Sequence, residues 1–192
     1  MGIHNHIHTP PWKLREAHRC FRRGGIIAYP TEAVFGLGCD PLDALAVHRL
    51  LELKQRSVEK GLILIAADFA QLRPFVSELN AGKMERVFES WPGPVTWLLP
   101  APPTLPYWLS GEHETLAVRV TAHPVAAALC RICNSPLVST SANIAGHPPA
   151  KNAMDIRRYF NGNIDCILNG PVGSGMKPTP IRDARTGEVT RA

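Results

Sequence analysis

Glu52-Leu53-Lys54-Gln55-Arg56-Ser57-Val58-Glu59-Lys60 joins a helical pattern to a strand pattern. Before it, Leu42, Leu45, Ala46, Leu50 and Leu53 recur at the spacing of one apolar helix face. After it, Gly61 releases the chain into residues 62–67, an apolar run of strand length. A helix that hands over to a buried strand is the unit of an α/β protein. The same stretch leaves Lys54, Arg56 and Lys60 together where the helix ends. Cations in a last turn oppose the negative pole of the helix dipole, so a solvated helix end is one explanation and an anionic ligand is the other.

Toward the N-terminus, Asp40-Pro41 is a helix start, an Asp able to cap orphan amides followed by a Pro suited to the first helical position. Residues 26–29 read as a short buried strand that empties into Pro30-Thr31-Glu32-Ala33-Val34-Phe35-Gly36-Leu37-Gly38. That segment reads as a loop whose glycines let the backbone approach a ligand, or as a plain turn; it lacks the lysine and glycine spacing of a Walker A sequence. Leu14, Ala17, Cys20 and Phe21 predict a helix over 12–23, stopped by Gly24-Gly25. Residues 1–11 are expected to form an N-terminal arm outside a single domain spanning 12–192. Its alternating His4, His6 and His8 have no carboxylate or thiol beside them to complete a metal site.

Toward the C-terminus, 68–90 reads as one or two helices interrupted by Pro74, and Trp91-Pro92-Gly93-Pro94 as a corner before a strand over 95–99. The proline-rich segment 101–106 is expected to be an ordered, extended crossing. Residues 115–120, TLAVRV, form an apolar strand carrying Arg119, a charge that needs an ion-pair partner or an anion. In the helix predicted over 125–134, Cys130 and Cys133 lie near the C-terminal end, where the dipole does not lower a thiol pKa; they read as core. The strand over 136–140 ends in Ser141-Ala142-Asn143-Ile144-Ala145-Gly146. Ser139, Thr140, Ser141 and Asn143 thus put hydroxyls and an amide at a strand end, the usual place for ligands in an open α/β sheet. No G-x-S-x-G elbow marks a serine nucleophile. A helix over 152–160, a strand over 166–168, a Gly- and Pro-rich loop over 170–180 and a hairpin across Thr186-Gly187 complete the chain.

A chain of 192 residues with 45% hydrophobic and 19% charged residues is that of one globular domain with a sizeable core. No apolar run approaches the ~18 residues of a membrane helix. The start MGIHNHIHTPPW lacks the basic and apolar parts of a secretory signal, so a cytoplasmic location without a membrane partner is expected. Five scattered cysteines are expected to be reduced. The net charge of +5 favours a phosphate-bearing partner, nucleotide or nucleic acid. The alternative to an enzyme is therefore a non-catalytic module holding structured RNA, although the few, scattered aromatic residues do not make a base-stacking platform.

Taken together these segments resemble the single-domain bacterial members of the YrdC/Sua5 family, from about Arg19 to the C-terminus. The resemblance rests on Tyr29-Pro30-Thr31-Glu32 with Gly36 and Gly38, on Lys54-Gln55-Arg56 with Lys60, and on Trp91-Pro92-Gly93-Pro94-Val95-Thr96. It rests equally on Ala117-Val118-Arg119 and Ser139-Thr140-Ser141-Ala142-Asn143, all in one order. It implies one twisted α/β domain with a mixed sheet, helices on its faces and a large basic concave cleft. It also implies a nucleotidyltransferase that converts L-threonine, bicarbonate and ATP into threonylcarbamoyl-adenylate and pyrophosphate. Downstream threonylcarbamoyl-transfer proteins would pass the activated group to adenosine 37 of tRNAs reading codons that begin with A. A monomer with some direct tRNA affinity is expected.

By the same resemblance Lys54 and Arg56 are catalytic. Lys54, Arg56, Lys60, Thr115, Ser141 and Asn143 bind ATP, and Thr31, Arg119 and Ser139 bind threonine. No metal is expected on protein ligands, Mg²⁺ being carried with ATP. The chain departs from the family's pattern at Ile65, where longer relatives carry a His, and at Pro178-Thr179-Pro180-Ile181, where a Ser-Thr-Val type of stretch is usual.

Overall fold

The computed structural model describes residues 9–144, 146–173 and 179–191. The His4, His6 and His8 arm and part of the Gly- and Pro-rich loop lie outside the described residues. Helix α1 (Pro11–Phe21) has proline in its first turn and buries Ala17 and Phe21. Strands β1 (Ile27–Pro30) and β2 (Phe35–Gly38) then form a buried antiparallel hairpin. This corrects the expectation of a glycine loop over 30–38, because its second half is strand. The cause is Tyr29, whose side chain is fully buried. A Cβ on Gly36 would lie 3.3 Å from the Tyr29 ring and one on Gly38 3.0 Å, so the missing side chains make the bed for that ring.

Helix α2 (Ala44–Lys54) starts later than Asp40-Pro41 predicts. Asp43 is the cap, its Oδ1 accepting from Ala46 N at 3.0 Å, while Asp40 accepts from Leu42 N in the turn before. The inward face is therefore Ala46, Val47, Leu50, Leu51 and Lys54. Leu42 and Leu45, expected on that face, are 63% and 84% exposed; Leu42 precedes the helix and Leu45 falls on its outer side.

The chain continues through β3 (Ile63–Ala66), α3 (Phe69–Leu72), a 3-10 turn (Arg73–Phe75) that absorbs Pro74, and α4 (Ala81–Glu89). It goes on to β4 (Thr96–Pro100), α5 (Tyr107–Ser110), β5 (Thr115–Val120), α6 (Pro124–Cys133) and β6 (Leu137–Ser141). Last come α7 (Ala153–Phe160), β7 (Cys166–Ile167), β8 (Ile181–Asp183) and β9 (Val189–Arg191). Four-residue α5 has no counterpart in the sequence reading, being too short to show a period. No helix among the described residues is long and apolar enough to cross a membrane.

The strands form one mixed sheet in the order β7-β1-β2-β6-β3-β5-β4-β8-β9. The β1–β7, β3–β5 and β4–β8 pairs are parallel and the other pairs antiparallel. Side chains alternate between faces. On one face Leu64, Trp97, Leu99, Val118 and Val138 join Val47 and Leu50 of α2, Met84 and Val87 of α4 and Ile156 of α7 in the larger core cluster. Full burial of each such side chain contributes roughly 1.5–3 kcal/mol.

The opposite face is covered only in part. Ile27, Tyr29, Ile65 and Leu137 pack with Ala17 and Phe21 of α1 and with Leu129 and Cys130 of α6. Beside them Ile63, Leu98, Thr115, Ala117 and Ile181 are only partly buried. This half of the sheet is left open. Cys130 and Cys133 belong to the covered half as free thiols, and burial pushes Cys133 up to about 12, the opposite of an activated redox pair.

Candidate active site

One end of the candidate site is built where α2 stops. Gln55 takes a left-handed conformation (φ 50°), with its N–H bonded to Glu52 O at 2.9 Å and the Arg56 N–H bonded to Leu51 O at 3.0 Å. This double closure satisfies the last carbonyls and reverses the chain. Lys54, in the final turn and only 7% exposed, reaches the exit of β6. Its Nζ donates to Ser141 O at 2.5 Å, Asn143 O at 2.7 Å and Asn143 Oδ1 at 2.9 Å, which engages all three ammonium donors.

Asn143 is equally committed. Its Oδ1 also accepts from Ser141 Oγ at 2.7 Å, and its Nδ2 donates to Ile144 O at 3.2 Å and His147 O at 3.0 Å. The three residues form a polar knot that fixes the strand exit and leaves Ser141 exposed. Burial, with Arg56 nearby, lowers the Lys54 pKa to about 8. Arg56 Nη2 donates to Gly61 O at 2.9 Å and Lys60 O at 3.3 Å, tying the 3-10 turn Val58–Lys60 to the helix end. Lys60 itself is exposed.

Arg119 marks the other end. It stands on β5 in register with Ile65, at the border of the surface that α6 covers. Its Nη1 donates to Thr179 Oγ1 at 2.6 Å and its Nη2 faces Glu32 Oε2 at 3.5 Å. Glu32 Oε1 accepts from Thr121 Oγ1 at 2.6 Å and from Ala122 N at 3.1 Å. Burial pushes the Glu32 carboxyl up, but Arg119 and the Thr121 bond more than offset this and hold it below the usual carboxylate range. Thr31, buried, donates its hydroxyl to Val34 O at 2.7 Å and so closes the β1–β2 turn. Sequence reasoning named Thr31 and Arg119 but gave Glu32 no role. The signal available was an acid placed directly after a buried strand in a chain that also buries an arginine.

Strand register relates the two ends. Ser139 pairs with Ile63, and Ile63 with Ala117; one row further, Leu137 pairs with Ile65, and Ile65 with Arg119. Ser141 lies four residues after Leu137 on β6, which places the Lys54 knot about 14 Å along the strands from the row of Arg119. Lys54, Arg56, Ser141 and Asn143 are thus gathered at one end and Arg119 at the other; Thr31 follows the row of Tyr29, Gly36 and Ser141, and its neighbour Glu32 reaches across to Arg119. Ser139 lies between them, and Thr115 starts β5 at the Ser141 end. Among the described residues no group of three or more His, Cys, Asp or Glu could hold a metal ion.

Three comparisons bear on this arrangement. Residues 19–192 match the family model described as Sua5/yciO/yrdC, telomere recombination. A protein of Nitrosococcus oceani named threonylcarbamoyl-AMP synthase is 56% identical over 182 residues, covering 95% of this chain and 98% of the relative. Among solved structures, P. abyssi Sua5 complexed with L-threonine superposes with a TM-score of 0.84 at 35% identity, covering 90% of this chain and 51% of that one. This chain therefore spans about half the length of the P. abyssi protein. E. coli YciO superposes with a TM-score of 0.80 at 27% identity, covering 93% of this chain and 87% of that one.

Proposed function

Because this chain belongs to the Sua5/YciO/YrdC family, we propose that its open sheet face joins L-threonine, bicarbonate and ATP into threonylcarbamoyl-AMP and pyrophosphate. The carrying observation is a pair of cationic groups: the buried Lys54 with Arg56 at the exit of β6, and about 14 Å along the strands the buried Arg119 of the open face. Threonine's amine adds to carbon dioxide drawn from bicarbonate, loses a proton and becomes an N-carboxylate. An oxygen of that carboxylate attacks the α-phosphorus in line, the α–β phosphoanhydride bond breaks, and pyrophosphate leaves. Such a displacement needs positioning and charge neutralisation more than a protein nucleophile.

In this reading Arg56 turns its guanidinium fork to the triphosphate, with Lys60 and Thr115 assisting at the same end. Lys54 has spent its hydrogen bonds on Ser141 and Asn143. It serves as a fixed charge and as the anchor that presents the Ser141 hydroxyl. Arg119 faces threonine's carboxylate, with Thr31 and Ser139 beside it. Mg²⁺ arrives with the triphosphate, since it keeps waters and takes few protein ligands. The adenylate then passes to downstream proteins that modify adenosine 37 of tRNA, and the enzyme acts as a cytoplasmic monomer.

The test is pyrophosphate release by the purified protein with threonine and bicarbonate omitted in turn. Release should require both, and release indifferent to threonine overturns the reading. Arg56→Ala should fold normally and lose roughly 10²-fold in turnover, the scale of removing one preorganised charge-stabilising donor. Near-native turnover in that variant would remove Arg56 from the mechanism.

A further inference from the structure

We infer that Glu32 is a positioning residue for the threonine end of the cleft, a strut whose carboxylate fixes where the Arg119 guanidinium stands relative to the β1–β2 turn. The inference rests on the proposed reading of Thr31 and Arg119 as threonine ligands and adds to it a residue that touches no substrate.

β1 and β5 are separated by β2, β6 and β3. Four steps across a flat sheet would set them about 19 Å apart, several times the reach of a glutamate side chain. Yet Glu32, two residues beyond β1, meets Thr121 Oγ1, Ala122 N and Arg119 Nη2 at 2.6, 3.1 and 3.5 Å, all on or just after β5. The sheet must curl for this to happen, and at this end Glu32 holds the curl closed. Thr31 is its chain neighbour, so the same contact that places Arg119 also sets the distance from Arg119 to Thr31.

The division of labour between the two carboxylate oxygens supports a positioning role. Oε1 takes donors from two consecutive residues, which fixes the orientation of the carboxylate. Oε2 has no hydrogen-bond partner and faces Arg119 at 3.5 Å, outside the 2.7–3.2 Å of a formed N–H···O bond. Glu32 therefore balances and aims the guanidinium without capturing it. Arg119 instead donates from Nη1 to Thr179 Oγ1. Without the strut a guanidinium 8% exposed would keep one hydroxyl as its partner and would turn toward water.

Three full-length variants test this. Glu32→Ala removes the strut. Glu32→Gln keeps an acceptor for Thr121 and Ala122 but loses the charge opposite Arg119. Thr121→Val keeps the charge and removes one of the two donors to Oε1. Steady-state pyrophosphate release gives KM for threonine and for ATP, calorimetry gives threonine affinity without turnover, and thermal midpoints report folding. Glu32→Ala should raise the threonine KM about tenfold or more, on the scale of displacing a substrate-positioning group by an ångström or less. The ATP KM should stay within about twofold, as expected for a group confined to the other end. Glu32→Gln and Thr121→Val should fall between it and the native protein, and they carry the test if the alanine variant does not fold.

Threonine constants unchanged in folded variants overturn the inference. So do threonine and ATP constants that rise together with a lowered midpoint, which is the behaviour of a purely structural pair. If the native protein binds threonine in the calorimeter but releases no pyrophosphate, the proposed function fails while the variants' threonine affinities still decide the role of Glu32. If the native protein binds no threonine, both fall.

Discussion

Lys54 shows how one side chain is set by two demands that oppose each other. Its three hydrogen bonds hold the end of β6, and the burial that makes those bonds possible lowers its pKa from 10.5 to about 8. Below about pH 8 folded and unfolded chains both keep the proton, and the folded chain bears the cost of a buried charge. Between about 8 and 10.5 the folded chain gives up the proton first, so this group adds stability as pH rises. Binding of an anion runs the other way, because the neutral amine no longer attracts it. ATP affinity measured by calorimetry should therefore fall as pH climbs through about 8 in the native protein. Lys54→Met should bind more weakly at pH 7 and show little further change across that window. A native affinity that is flat there would mean that the nucleotide does not feel this charge. The roles of Lys54, Arg119 and Ser141 as polar groups at strand and helix ends were legible in the sequence. The partnership of Lys54 with Asn143 was not, because residues 89 positions apart meet only through the sheet.

Among the elements, α2 shows both the strength and the limit of periodicity. Val47, Leu50, Leu51 and Lys54 repeat at helical spacing and are buried, yet Leu42 and Leu45 carry equal hydrophobicity and face out. A one-turn uncertainty in the start, Asp40 or Asp43, is enough to exchange the faces. The helix ends without glycine: Gln55 is held at φ 50°. A side chain in that conformation costs roughly 1–2 kcal/mol, which glycine avoids at some entropic cost of its own. Gln55→Gly should therefore raise stability by about 1 kcal/mol in denaturant titration without changing the site, since the Gln55 side chain is exposed. A loss of stability would mean that Gln55 makes a contact worth more than the strain. Strand β2 was illegible for a different reason. Phe-Gly-Leu-Gly scores poorly as strand by propensity, and only the Tyr29 ring lying against both glycines explains why strand geometry wins.

For the whole molecule, the sequence disclosed an α/β chain with strands on both sides of the middle helices, but it did not disclose the order in which those strands pair. Both flanks of the sheet are completed from the end of the chain: β7 is added beside β1, and β8 with β9 beside β4. Removing residues 181–192 would bare the β4 edge, Thr96–Pro100, whose unpaired amides and carbonyls are a template for another chain. Size-exclusion chromatography of that truncation should show aggregates in place of the native peak; an unaltered peak would show that the β4 edge is protected without the hairpin. The pairing of Ile27 with Cys166 has a further consequence, for the time at which the protein comes into being. Contacts so remote along the chain make folding slow, because the loop between them must be closed before the contact repays its entropy. On the ribosome the segment carrying Thr31 and Glu32 is made early, then waits for the residues that will flank and face it. Arg119 emerges far later, and Thr179 a further 60 residues on. The cleft is thus assembled long after its first strand is made, and a nascent chain has nothing to offer its substrates until Thr179 has followed Arg119.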